Sequence, residues 1–148
     1  MKRFATALLC LIGVFSLSAH AQMKPEDAIK FRQSAMKLIG YNFGSIGNMV
    51  NDKKPYNKDE AIRNATNLEG LTPQPWEFFV AGTDKGETKA KPEIWKESDK
   101  FKAANEKLQA ESVKLAQVAK TGDVAALKTQ FGATAQACKN CHDNFREK

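Results

Sequence analysis

Histidine and cysteine are scarce in this chain, at two and three residues in 148. That scarcity limits its chemistry. A closed zinc site needs four ligands; once a leader holding Cys10 and His20 is set aside, only Cys138, Cys141 and His142 remain. Zinc would have to recruit carboxylates. No stretch alternates apolar and polar residues as a half-buried strand does, so a β fold has no support. No basic run is interleaved with aromatics, which argues against nucleic acid binding. There is no internal repeat and no low-complexity tract. The one long apolar run, Ala5 to Leu17, is too short for a membrane span and lacks a stop-transfer flank.

That run reads better as the core of a secretory signal peptide over residues 1–21. Lys2 and Arg3 precede it, and Ala19-His20-Ala21 puts small residues at the two positions a signal peptidase inspects. Cleavage leaves Gln22 first. A lipid anchor on Cys10 is disfavoured by bulky Leu9 before it and by its early position. Residues 22–148 fit one domain. Losing Lys2 and Arg3 takes the formal charge from +6 to +4. The lysines are dispersed, as on a solvated surface, and the mild positive balance suits an acidic redox partner. A protein exported to a bacterial periplasm, with no membrane anchor in its mature form, is expected.

Near the C-terminus stands Cys138-Lys139-Asn140-Cys141-His142, the C-x-x-C-H pattern of covalent haem attachment. Two thiols add across the two porphyrin vinyls, and the i, i+3 spacing puts both sulfurs on one side of a helical turn. The next residue, His142, can then bring its imidazole to the iron as an axial ligand. A redox disulfide is the other reading, but that motif belongs at a helix start in a βαβ setting, where a thiol pKa falls. Here the pair stands near the end of a helical pattern.

Four segments have helical period. The first spans about Pro25 to Val50, with Ile29, Met36, Ile39, Phe43, Ile46 and Val50 inward. The second spans about Asn57 to Leu68, with Ala61, Ile62, Ala65 and Leu68 inward and Gly70 ending it. Residues 71–92 form a long connection anchored by Trp76, Phe78 and Phe79. The third helix starts near Pro92 or Ser98 and runs to Lys120, with Phe101, Asn105, Leu108, Ser112, Leu115 and Ala119 on one face. Asp123 caps the fourth, whose stripe is Val124, Leu127, Phe131, Thr134, Cys138, Cys141 and Phe145. The haem cysteines share this stripe with core hydrophobes. An all-α, antiparallel four-helix bundle with haem c held between the helices is expected.

Any ligand for the opposite iron face must come from upstream of His142, and Met23, Met36 and Met49 are the candidates. Met36, on the inward face near the middle of the first helix, is best placed; ordinary core packing accounts for it equally.

From Lys24-Pro25-Glu26-Asp27 through Phe31-Arg32-Gln33-Ser34, Asn42-Phe43-Gly44, Pro75-Trp76 and Pro92-Glu93-Ile94-Trp95 to the final Cys138-Lys139-Asn140-Cys141-His142-Asp143, nearly all of the mature chain resembles the cytochrome c′ family, the class II c-type cytochromes. The resemblance implies a four-helix bundle, a homodimer, a periplasmic location and one haem c. It implies thioethers at Cys138 and Cys141, with His142 as proximal ligand. It also implies that Arg32 and Gln33 lie against the haem propionates, where a guanidinium fits a carboxylate bidentately. By the same resemblance Glu87 belongs to a loop passing the haem edge, Trp76 and Phe79 to the distal side, and Arg146 to the proximal side. Each has a plainer account: a solvated arginine pairing with a nearby acid for Arg32, core packing for the aromatics, and complementing a helix dipole for Arg146.

Met36 departs from the family's usual pattern, since five-coordinate members often carry leucine or an aromatic there. If its sulfur leaves the iron alone, an apolar open site suits nitric oxide or carbon monoxide. If it ligates, both axial sites are filled and the protein is an electron carrier. An enzyme has less support, because no second histidine remains to act as a distal base.

Overall fold

The computed structural model describes residues 23–148; the leader assigned to residues 1–21 lies outside the described residues. Helix α1, Pro25–Val50, starts with proline in its first turn and Glu26 and Asp27 beside the positive end of its dipole. Helix α2, Lys58–Leu71, is capped by Asn57, whose side chain accepts the Glu60 amide at 2.8 Å. A 3-10 turn, Trp76–Phe78, and a four-residue helix α3, Glu93–Lys96, interrupt the long connection. Helix α4, Ser98–Thr121, ends at Gly122, whose φ of 81° is the left-handed conformation that a helix stop of this kind requires. Helix α5, Val124–Phe145, opens with Asp123 accepting the Ala126 amide at 3.0 Å.

The four long helices close into the expected antiparallel bundle: α1 packs on α2, α2 on α4, α4 on α5, and α5 back on α1. Its core holds Ile39, Ile46, Met49 and Val50 from α1, Ala61, Ala65 and Leu68 from α2, Leu115, Ala116 and Ala119 from α4, and Leu127 from α5. Helices α1 and α5 pass close together at Gly47. A Cβ there would lie 2.8 Å from the ring of Phe131, which stacks on Phe43 at 4.2 Å between centroids.

Three details differ from the sequence reading. Gly70 lies inside α2 and does not end it; the helix continues to Leu71, and Pro73 and Pro75 prevent further turns. The third helix begins twice, because Glu97 leaves the helical region (φ −118°, ψ 48°) between α3 and α4. Val124 faces solvent, since the first turn of α5 projects beyond the neighbouring helices.

A buried carboxylate joins α4 to α5. Glu111, 3% exposed, receives Lys107 at 2.8 Å, Lys114 at 3.1 Å and the Gln130 amide at 2.6 Å. These donors hold its carboxyl at about 2, against 4.5 ordinarily.

Candidate functional site

At the end of the bundle where α5 finishes, α1, α4, α5 and the 72–92 connection enclose a cavity of about 690 Å³, within the range of cofactor pockets. Helix α5 supplies Thr134, Cys138, Cys141, His142 and Phe145, and Arg146 follows. Helix α1 supplies Arg32, Gln33, Met36, Ile39 and Phe43, and the connection supplies Trp76, Phe79 and Thr88. Of the residues singled out from the sequence for the haem site, all but Glu87, Met23 and Met49 line this one space.

Cys138 and Cys141 are free thiols, half-buried on its wall. Burial pushes the Cys138 thiol up; burial, with Cys138 alongside, pushes Cys141 up to about 11. Both stand in the last turns of α5, at the negative end of its dipole. Thiol–disulfide exchange needs a depressed thiol pKa, so this placement opposes it and suits sulfurs that react only once a partner is held against them. His142 is pulled below its ordinary value, first by burial and then by the positive Arg146, with Asp143 opposing. The shift favours the neutral imidazole, which keeps the lone pair a metal needs. Among the described residues no three His, Cys, Asp or Glu side chains converge as a metal site.

The methionines separate cleanly. Met49 is in the core at 2% exposure, Met23 is 46% exposed, and only Met36 lines the cavity, half-buried against the core. Trp76 and Phe79 stand in one aromatic assembly with Phe101 and Phe145. Ring centroids lie 5.5 Å apart for Trp76–Phe101, 4.9 Å for Phe79–Phe101 and 5.2 Å for Phe101–Phe145. The Trp76 indole donates to the Thr72 carbonyl, which fixes its ring.

Arg32 is arranged otherwise than the bidentate propionate partner, or the solvated surface arginine, considered above. It is 3% exposed, and its guanidinium lies 4.4 Å from the Phe79 ring centroid. Nη1 donates to Phe78 O (3.3 Å) and Thr83 Oγ1 (2.6 Å), and Nη2 to Thr83 O (2.6 Å) and Thr88 Oγ1 (2.9 Å). These contacts organise the 78–88 loop and leave only the Nε–H free for another acceptor. Gln33 likewise serves the loop, donating to the Glu87 carbonyl at 2.8 Å. The Glu87 carboxylate is exposed and does not line the cavity, because only the backbone of that residue turns inward.

A backbone clip, absent from the sequence reading, closes one side. Ala90 and Arg146 form an antiparallel bridge, with Lys91 N–H donating to Phe145 O at 3.0 Å and Glu147 N–H to Lys89 O at 2.8 Å. Thr83 and Thr88, the acceptors of Arg32, also went unread; their only local signal is the pair of glycines around them, Gly82 and Gly86, both at positive φ.

The cavity fits a haem c on three counts. Two thiols and an imidazole share one wall. The remaining surface is largely aromatic and aliphatic. And a buried guanidinium, unpaired with any carboxylate among the described residues, lines it with only its Nε–H unspent.

Comparison with known proteins gives a family model described as Cytochrome C', matching residues 27–146. The cytochrome c′ of Rubrivivax gelatinosus is 44% identical; the match covers 84% of this chain and 98% of the relative, and its crystal structure superposes with a TM-score of 0.81. A cytochrome c prime from Shewanella frigidimarina is 38% identical with a TM-score of 0.83, over 84% of this chain and 98% of that one. A nitric oxide complex of a leucine variant of cytochrome c prime from Alcaligenes xylosoxidans is 39% identical with a TM-score of 0.79, over 84% of this chain and 97% of that one.

Proposed function

The chain belongs to the cytochrome c′ family and carries the family's one covalently bound haem c, and on that footing we propose that it is an exported, periplasmic haem protein that binds nitric oxide or carbon monoxide at an apolar iron face and exchanges single electrons. Cys138 and Cys141 hold the porphyrin as thioethers, and His142 ligates the iron. The haem supplies an iron that cycles between ferric and ferrous and takes up a diatomic ligand. What the polypeptide adds is selection of that ligand.

One observation carries the reading: apart from His142, the cavity wall offers no histidine and no carboxylate, and its inner polar groups are already engaged. Arg32 serves the loop, Gln33 the Glu87 carbonyl, and Thr134 Oγ donates to the Gln130 carbonyl at 2.9 Å. A ligand entering from the Met36, Phe43 and Trp76 side meets hydrocarbon and aromatic surface. That excludes ligands needing a proton or a hydrogen bond, and it favours neutral diatomics. It also denies peroxide chemistry a base, which supports a binding and electron-carrying role over an enzymatic one. Among the described residues no helix is long and apolar enough to cross a membrane.

The position of Met36 favours one second reading, a six-coordinate electron carrier with Met36 as the other axial ligand. Absorption spectra of the ferric and ferrous protein decide between them. The gas-binding reading expects a high-spin ferrous spectrum that changes on adding nitric oxide or carbon monoxide, with little change in Met36→Leu. A low-spin spectrum that turns high-spin in Met36→Leu refutes it and establishes the carrier.

The outer face of α1 presents Phe31, Leu38 and Tyr41, which are 44%, 53% and 75% exposed. This apolar stripe supports the homodimer that the family resemblance implies.

A further inference from the structure

The charged side chains that line the cavity are all of one sign. Arg32, Lys37, Lys89 and Arg146 line it, and no carboxylate does. Arg32 is buried; Lys37, Lys89 and Arg146 are exposed at the mouth. The two propionates of a haem c offset two of these four charges and leave the mouth positive. Local pairing does not remove the surplus. Along α3 and α4, Lys96, Lys100, Lys102, Lys107 and Lys114 are each matched to a glutamate three or four residues away. Among the described residues, Lys37 and Arg146 form no ion pair with an acidic side chain. The clip sharpens the arrangement: Lys89 Nζ donates to the Lys148 carbonyl at 2.9 Å and Lys91 Nζ to the Asp143 carbonyl at 3.1 Å. Backbone oxygens thus hold both ammonium groups in place, so the rim is ordered.

We infer that this mouth is the docking face for a redox partner protein, which presents a patch of aspartates and glutamates to Lys37, Lys89 and Arg146. The inference rests on the haem reading above, because a haem held in this cavity would meet solvent through its mouth. Clustered surface charge of this kind raises association rates by about 10- to 1,000-fold, and salt abolishes the effect. An acidic partner arriving here is steered to the one face where electron exchange over a short distance is possible.

The test uses holoprotein whose haem content has first been fixed by absorbance and intact mass; a bare polypeptide at that step refutes the haem reading and leaves docking to be judged separately. A fluorescein-labelled peptide of ten glutamates is titrated by anisotropy. Saturable binding is expected at low ionic strength and its loss at 0.3 M salt. The double variant Lys37→Glu/Lys89→Glu weakens binding about tenfold or more. The control Lys53→Glu/Lys120→Glu makes the same change in net charge where α1 and α4 end, about 30 Å from Arg146 along the length of α5, and weakens binding less than threefold. Equal weakening in both pairs, or no binding by the unaltered protein, overturns the inference. So does displacement by citrate at equal carboxylate concentration, which marks a small-anion site.

Discussion

Replacing Gly47 by alanine tests how α1 and α5 are set against each other, and hence how far Met36 stands from the α5 cysteines. In a helix interior the change alone stabilises by about 1 kcal/mol. Here the new methyl would lie 2.8 Å from Phe131 Cζ. The methyl meets the ring at its Cζ edge, and the ring cannot swing aside freely, because Phe43 stacks on its face at 4.2 Å with the planes 11° apart. Forcing a methyl into such a contact costs about 1–3 kcal/mol, so Gly47→Ala should destabilise by about 1 kcal/mol. In a Phe131→Leu background the ring edge is gone, and the same change should stabilise by about 1 kcal/mol. That coupling of about 2 kcal/mol lies within what touching residues show in double-mutant cycles. Gly44 is the control: it is exposed in the same helix, and a methyl carbon added there would meet nothing within 4 Å, so Gly44→Ala should stabilise in both backgrounds. Guanidinium unfolding of the ferric protein, followed by far-ultraviolet circular dichroism at constant m, measures all of these. If Gly47→Ala stabilises the unaltered background as much as Gly44→Ala does, the close crossing is refuted.

Three further outcomes follow from the geometry. Arg32→Met should lower stability by about 2–3 kcal/mol through loss of charged hydrogen bonds and raise amide exchange in residues 83–90; Arg32→Lys should not rescue it, since one ammonium cannot meet four acceptors, and unchanged exchange would refute the clamp. Glu111 titrates near 2 when folded and near 4.5 when free, so its stabilising contribution is complete above about pH 5 and fades as pH falls toward 2; between pH 5 and 2 the melting temperature of Glu111→Gln should fall less steeply than that of the parent. Leu38→Glu, on the exposed face of α1, should shift sedimentation from dimer to monomer and leave the visible spectrum unchanged.

The parts of this molecule that were legible in the sequence are those encoded over short stretches. Helical period, the Asn57 and Asp123 caps and the Cys138-to-His142 pentapeptide all act within a few residues, and fold class and family followed from them. Gly70 misled because a glycine lowers helix propensity by only about 1 kcal/mol, less than α2 gains by continuing to Leu71. What stayed hidden joins distant positions. Arg32 finds its acceptors 46 to 56 residues away, and the clip unites residues 89–91 with 145–147. No periodicity announces which carbonyl a guanidinium will reach, and the family resemblance that places Glu87 in the loop at the haem edge does not tell that its backbone makes the contact.

Both sulfurs assigned to the cofactor lie on α5 and on no other element. Thioethers so placed close a ring of only a few residues, removing almost no freedom from the unfolded chain. The porphyrin is therefore tethered to one helix without stapling the bundle together, and whatever it adds to thermal resistance comes from its burial and from the imidazole. A fully denatured sample should remain coloured, and on dilution each chain refolds around its own cofactor with first-order kinetics and no need for added haem.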